Sequence, residues 1–261
     1  MASILAVITA CCDSDTKVMA VEQIAAALRD GQLTINPAEH SLALIQPGRP
    51  DVPQLVAPRD LPKRKAGTFA GRALIYHAIT HIEFNAINLA LDAICRFADM
   101  PLVYYQEWLQ VAAEEAYHFS LIRAHLRHYG VEYGDFPAHN GLWEMALKSK
   151  EDILLRMALV PRYLEARGLD VNPGLAAKMR EQGDVNGAAL LEIILRDEVG
   201  HVALGDRWYR YCCQQRGIDA EPFFQEILQR YAESRPRPPL HLAARRQAGF
   251  SEWELAQWCD P

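Results

Sequence analysis

Residues 195–209 read LRDEVGHVALGDRWY, which sets Glu198 and His201 three positions apart among Leu191, Ile194, Leu195 and Val202. The apolar spacing is helical, and on a helix positions i and i+3 project from one face. Two ionisable side chains therefore stand where the pattern would otherwise bury leucine. Residues 109–122, LQVAAEEAYHFSLI, repeat the arrangement with Glu115 and His118, flanked by Trp108, Val111, Ala112, Phe119 and Ile122. Burying an unpaired carboxylate is very costly, and two in one core would protonate or destabilise the fold. A bound cation removes the cost, and a donor set of carboxylate and imidazole suits iron or manganese.

Paired Glu-x-x-His helices in di-metal carboxylate bundles are completed by one Glu from each of two further helices. Residues 76–91, YHAITHIEFNAINLAL, supply Glu83 on a face with Tyr76, Ile79, Ala86, Ile87 and Ala90. Residues 157–170, MALVPRYLEARGLD, supply Glu165 beside the Met157–Leu164 stripe. Pro161 is expected to kink that helix and so to turn Glu165 inward. Glu83 precedes Glu115 by 32 residues and Glu165 precedes Glu198 by 33, so the chain reads as two similar halves. The expected metal ligands are Glu83, Glu115, His118, Glu165, Glu198 and His201, with Glu115 and Glu198 as the bridging, catalytic carboxylates. Neutralisation by Arg123, Arg162 and Arg196 is the competing explanation, but these are too few and poorly phased.

Other polar residues have simpler readings. His77 and His81 are spaced i, i+4, yet His81 points away from Glu83, and His77 is at most a supporting partner. His125 and His128 lie near the end of the second helix, where the dipole favours a cation. Tyr76, Tyr105 and Tyr117 read as core or rim packing. Asp92, Glu192 and Asp197 read as surface or supporting groups, with Asp197 a candidate to orient a ligating histidine.

Around these segments the chain is helical. Residues 14–30 form a capped amphipathic pattern closed by Gly31, and a proline-rich stretch from Pro37 to Pro62 predicts an extended strap. Long helical patterns follow at about 69–98, 102–130, 147–167 and 184–215, separated by Asp99–Pro101, Gly130–Gly141 and Gly168–Gly174. The expected organisation is an N-terminal helix and strap (1–68), a four-helix bundle (69–215) and a C-terminal helical tail packed on it (216–261).

Among 261 residues 50% are hydrophobic and the net charge is −6, which gives no global footprint for nucleic acid. PKRK at 62–65 and RPRPP at 235–239 read as solvated loops. Six cysteines, two pairs of them adjacent, form no disulfide framework and favour a reducing cytoplasm. The opening MASILAVITACC lacks a basic leader region, and no apolar run reaches the about 18 residues of a membrane span.

EARGLDVNPG (165–174), RDEVGHVALGDRWY (196–209), GDFPAHNGLWE (134–144) and PPLHLAARRQAGF (238–250) resemble an uncharacterised bacterial ferritin-like family, domain of unknown function 455. The resemblance runs from the strap to the tail, and it is more distantly similar to a di-iron hydroxylase that modifies a tRNA adenosine. It implies an all-α, ferritin-like four-helix bundle with the six ligands named above; the family usually carries Asn where this chain has His241.

The function expected is a non-haem dinuclear-iron oxidase or oxygenase with two Fe ions (Fe/Fe or Mn/Fe) and O2 as co-substrate. Its substrate would be a small molecule or modified nucleoside. Electrons are expected from a separate reductase or from the substrate, because no flavin, nicotinamide or Fe–S motif is present. The alternatives are iron or manganese handling with ferroxidase activity alone, and RNA modification, which the acidic balance disfavours.

Overall fold

The computed structural model describes residues 2–36, 46–232 and 235–259; part of the predicted strap, residues 37–45, lies outside them. The described residues are all-α, with one isolated parallel bridge, Leu55 to Ala138. The chain divides into two compact units, Met1–Trp143 and Glu144–Pro261.

The first unit is organised on α3 (Phe69–Arg96) and α4 (Leu102–Arg127), which pack along each other. Both ranges fall within three residues of the sequence reading. Thr68 caps α3 by accepting from Gly71 N at 3.0 Å. The short turn is pinned by Tyr105, whose hydroxyl donates to Phe97 O and accepts from Met100 N, both at 3.1 Å. Asp99 takes the left-handed conformation there, φ 58°, which its short polar side chain tolerates.

Against this hairpin lie α1 (Ala2–Ala10), packed on α3, and α2 (Ser14–Arg29), packed on α4. Asp13 caps α2 through Thr16 N at 2.8 Å, and Gly31 leaves it with φ +68°. The described part of the strap is extended: Val56 N donates to Ala138 O at 2.8 Å and Ala138 N to Gln54 O at 3.0 Å. Lys17 on α2 is fully buried, a position lysine almost never takes without partners. Its ammonium donates to Thr9 O at 3.0 Å, Gly48 O at 2.6 Å and the Asn88 side chain, and it lies 5.0 Å from the Phe84 ring. Burial pulls its pKa down to about 7.

In the second unit the sequence reading needs correction. The pattern at 147–167 is not one helix: α5 (Gly141–Lys148) stops, and α6 (Ile153–Leu159) starts afresh under the Asp152 cap, which accepts from Leu154 N at 2.8 Å. Buried Arg156 stabilises the break by donating to Ala146 O at 2.8 Å and to Ser149 Oγ at 3.1 Å, a cation placed at a helix C-terminus. Nor do Gly168, Pro173 and Gly174 end a helix, because α7 (Ala166–Glu181) runs through them. Burial of Leu169, Ala176 and Met179 along that helix outweighs the local turn propensity, and the turn comes instead at Gln182–Asp184.

Between α6 and α7 the backbone makes a widened, π-helical turn at Val160–Glu165. Pro161 has no N–H to donate, and the wider turn absorbs the lost bond without ending the helix. This run packs along α8 (Val185–Arg216), capped by Asp184 and closed by Gly217 in the left-handed region (φ +65°). The close approach requires Gly205: a methyl group there would overlap the Pro161 ring. Gly205→Ala is expected to destabilise the protein by about 1–3 kcal/mol, since neither ring nor helix backbone gives way easily. Urea unfolding would show it, and an unchanged midpoint would contradict this packing.

The tail adds α9 (Ala220–Tyr231) on α6, α10 (Leu242–Gln247) on α7 and α8, and α11 (Glu252–Cys259). His241 caps α10 by accepting from Ala244 N at Nδ1 (3.3 Å), the work an Asn would do at that position. No helix among the described residues is long and apolar enough to cross a membrane.

Candidate metal centre

In the first unit α3 carries Glu83 while α4 carries Glu115 and His118, all three buried. One donor atom from each lies within 4.8 Å of the other two. His118 Nδ1 stands 3.4 Å from Glu115 Oε2 and 3.5 Å from Glu83 Oε2. Burial alone would drive the imidazole neutral, but the two carboxylates outweigh it and push its pKa up to about 11. Burial likewise raises the Glu83 carboxyl to about 7. In the metal-free protein a proton on His118 thus supplies the positive charge that two neighbouring carboxylates require. A divalent cation would meet the same need, and two carboxylates with one imidazole fit ferrous iron or manganese.

In the second unit α8 presents Glu198 and His201 from one face, with His201 Nδ1 3.9 Å from Glu198 Oε2 and both residues buried. Glu165 is half-buried at the last position of the π-helical turn. Its carboxylate and the donors of Glu198 and His201 do not all fall within 4.8 Å of one another. The structure therefore gathers three predicted ligands closely in the first unit and places two on one face of α8 in the second.

The arginines that could have neutralised these carboxylates are engaged elsewhere. Arg123 holds Glu132 (2.7 Å) and Asp15 (2.5 Å), Arg162 holds Asp206 and Glu254, and Arg196 holds Asp197 (2.8 Å). Asp92 chelates Arg96, and Glu192 pairs with Arg180. Tyr117 is exposed, and Tyr76 packs edge-on against His125 with centroids 4.6 Å apart. His81 is held by Tyr133 Oη at 3.0 Å and faces His139 O at 3.2 Å.

His77 accepts from Gly134 N at 3.0 Å through Nε2, tying α3 to the loop that also bonds the strap. Burial lowers its pKa to about 4, and only the neutral ring can accept the bond from Gly134 N. Its contribution is complete above the ordinary value of 6.5 and disappears as pH falls toward about 4. Acidification through that window should cost at most about 3 kcal/mol at this residue. In His77→Gln, whose amide oxygen can still accept, the loss of melting temperature between those pH values should be smaller than in wild type. Equal losses would remove His77 from the account.

The ionic cluster around Arg162 escaped the sequence reading. Arg162 Nε donates to Asp206 Oδ1 at 2.6 Å and Nη2 to Glu254 Oε1 at 2.5 Å, while Arg210 bonds both carboxylates. The guanidinium lies 4.0 Å from the ring centroid of Phe224, 4.6 Å from Phe250 and 5.1 Å from Tyr209. The available signal was a lone arginine inside the apolar run MALVPRYL.

The family model described as "Protein of unknown function (DUF455)" matches residues 10–256. An "Uncharacterized protein" of Haemophilus influenzae (strain ATCC 51907 / DSM 11121 / KW20 / Rd) is 49% identical over 213 residues, covering 79% of this chain and 74% of its own. No solved structure matches the chain. With the family model spanning nearly its whole length, this chain belongs to the DUF455 family.

Proposed function

We propose that the chain is a ferritin-like four-helix protein that holds two iron ions and works as a non-haem di-iron oxidase or oxygenase on an organic substrate. The observation that carries this reading is the Glu83–Glu115–His118 group, three buried donors of suitable type within 4.8 Å. Those three residues would hold one ion. Glu165, Glu198 and His201 would hold the second, by the matched spacing of the two halves. Bound ferrous iron would supply two electrons and the open coordination positions that O2 chemistry needs, and an outside donor would return the site to the ferrous state.

The protein's own groups set the conditions. His118 must release its proton before Nδ1 can bind a metal, so binding is coupled to proton loss. The three donors are themselves almost wholly buried, Glu83 3%, Glu115 1% and His118 0% exposed, so the ion would sit away from bulk water. Anaerobic loading with Fe(II) should give about two ions per chain, and O2 should then be consumed with turnover of an added metabolite. One ion or fewer in folded protein would sink the dinuclear reading, and uptake far beyond two per chain would replace the enzyme with a storage protein.

A further inference from the structure

RPRPP at 235–239, a solvated loop by sequence, borders a cavity of about 450 Å³ in the second unit. Four arginines line it, Arg167, Arg235, Arg237 and Arg245, against one carboxylate, Asp170. Arg245 already neutralises that carboxylate: its Nε donates to Oδ1 at 2.9 Å and its Nη2 to Oδ2 at 2.6 Å. Oδ1 also accepts from His241 N at 2.9 Å. Arg245 is itself buried, with its guanidinium 5.0 and 5.3 Å from the rings of Phe250 and Trp258, so this ion pair is a fixed floor.

The other three arginines are exposed and make no ion pair among the described residues. Three like charges around one cleft repel one another, in a protein whose net charge is −6. An anion reverses that repulsion. Guanidinium groups offer paired N–H donors in a planar fork that matches phosphate oxygens, and they keep their charge at every physiological pH. Tyr163 and the proline rings of the tail give the cavity apolar wall as well. Its volume lies in the range of about 300–1,000 Å³ typical of small-molecule sites.

We propose that this cavity binds a small organic molecule through a phosphoryl group, with Arg167, Arg235 and Arg237 as its ligands. The inference stands apart from the metal reading, although Tyr163 and Leu164 on the cavity wall directly precede Glu165 in the chain.

Titration calorimetry on the full chain, without added metal, tests it with inorganic phosphate, phenyl phosphate and acetate. Phenyl phosphate should bind saturably, inorganic phosphate more weakly, and acetate about tenfold more weakly than phosphate. Arg235→Gln/Arg237→Gln should weaken phenyl phosphate by about tenfold or more, each lost charge-assisted bond contributing on that order. Lys63→Ala/Arg64→Ala, on the basic stretch of the other unit, should leave it unchanged. The proposal fails if phenyl phosphate does not bind at millimolar concentration, or if both double variants weaken it equally. Capture of a short single-stranded RNA through Arg235 and Arg237, without binding of phenyl phosphate, would also overturn it.

Discussion

Saturating the metal-free protein with Fe(II) is expected to raise its melting temperature by about 5–10 °C, and Glu115→Ala to abolish most of that rise. A ligand that binds only the folded state at a hundred times its Kd stabilises by about 2.7 kcal/mol, and each kcal/mol moves the melting of a chain this size by about 2–4 °C. Glu115 is the apt position because its carboxylate lies closest to His118, at 3.4 Å. The variant should also bind at least one ion fewer by elemental analysis. His125→Ala, which removes a ring packed against Tyr76, His128 and Tyr129, should keep full stoichiometry. Unchanged iron content in Glu115→Ala, or the absence of any shift with Fe(II) in wild type, would remove the metal reading of the first unit.

The second large effect belongs to Arg162. Arg162→Ala would leave Asp206 and Glu254 buried with Arg210 and the Ser251 N–H, and breaking a buried pair from one side costs about 3–5 kcal/mol. Arg162→Lys should recover little, because one ammonium cannot reproduce the Nε and Nη2 contacts or stack against Phe224 and Phe250. Removing Arg180 or Arg246, whose pairs with Glu192 and Glu252 sit at the surface, should change stability far less. Denaturant midpoints for the four variants separate these cases; equal effects would show that the buried cluster contributes no more than surface pairs.

Where the chain was legible, one signal dominated over a long stretch. The hairpin of α3 and α4 was readable because most positions of α3 are buried and the α4 stripe is continuous, so tertiary packing agrees with local pattern. Glu83, Glu115 and His118 were legible for the same reason, as charges that break such a pattern. The run from α6 to α7 was not. Pro161, Gly168, Pro173 and Gly174 are all strong local breakers, and only burial of Leu169, Ala176 and Met179 keeps the helix going. No single-residue rule distinguishes a proline that ends a helix from one accommodated by a wider turn opposite Gly205. The arginine cavity was hidden because Arg167 and Arg235 are far apart in the chain, and composition reports only the total charge.

Lys17 has a consequence for the order in which the protein is made. Its ammonium is satisfied by groups from residues 9, 48 and 88, supplied by α1, the strap and α3. During synthesis the chain emerges N-terminus first, so α2 exists in full long before Asn88 has been added. An isolated ammonium in an apolar setting is too costly to hold, and the nascent N-terminal segment must keep Lys17 in water until then. The two short N-terminal helices are therefore late arrivals on a hairpin encoded after them, and a fragment ending ahead of α3 lacks the surface that would let it fold.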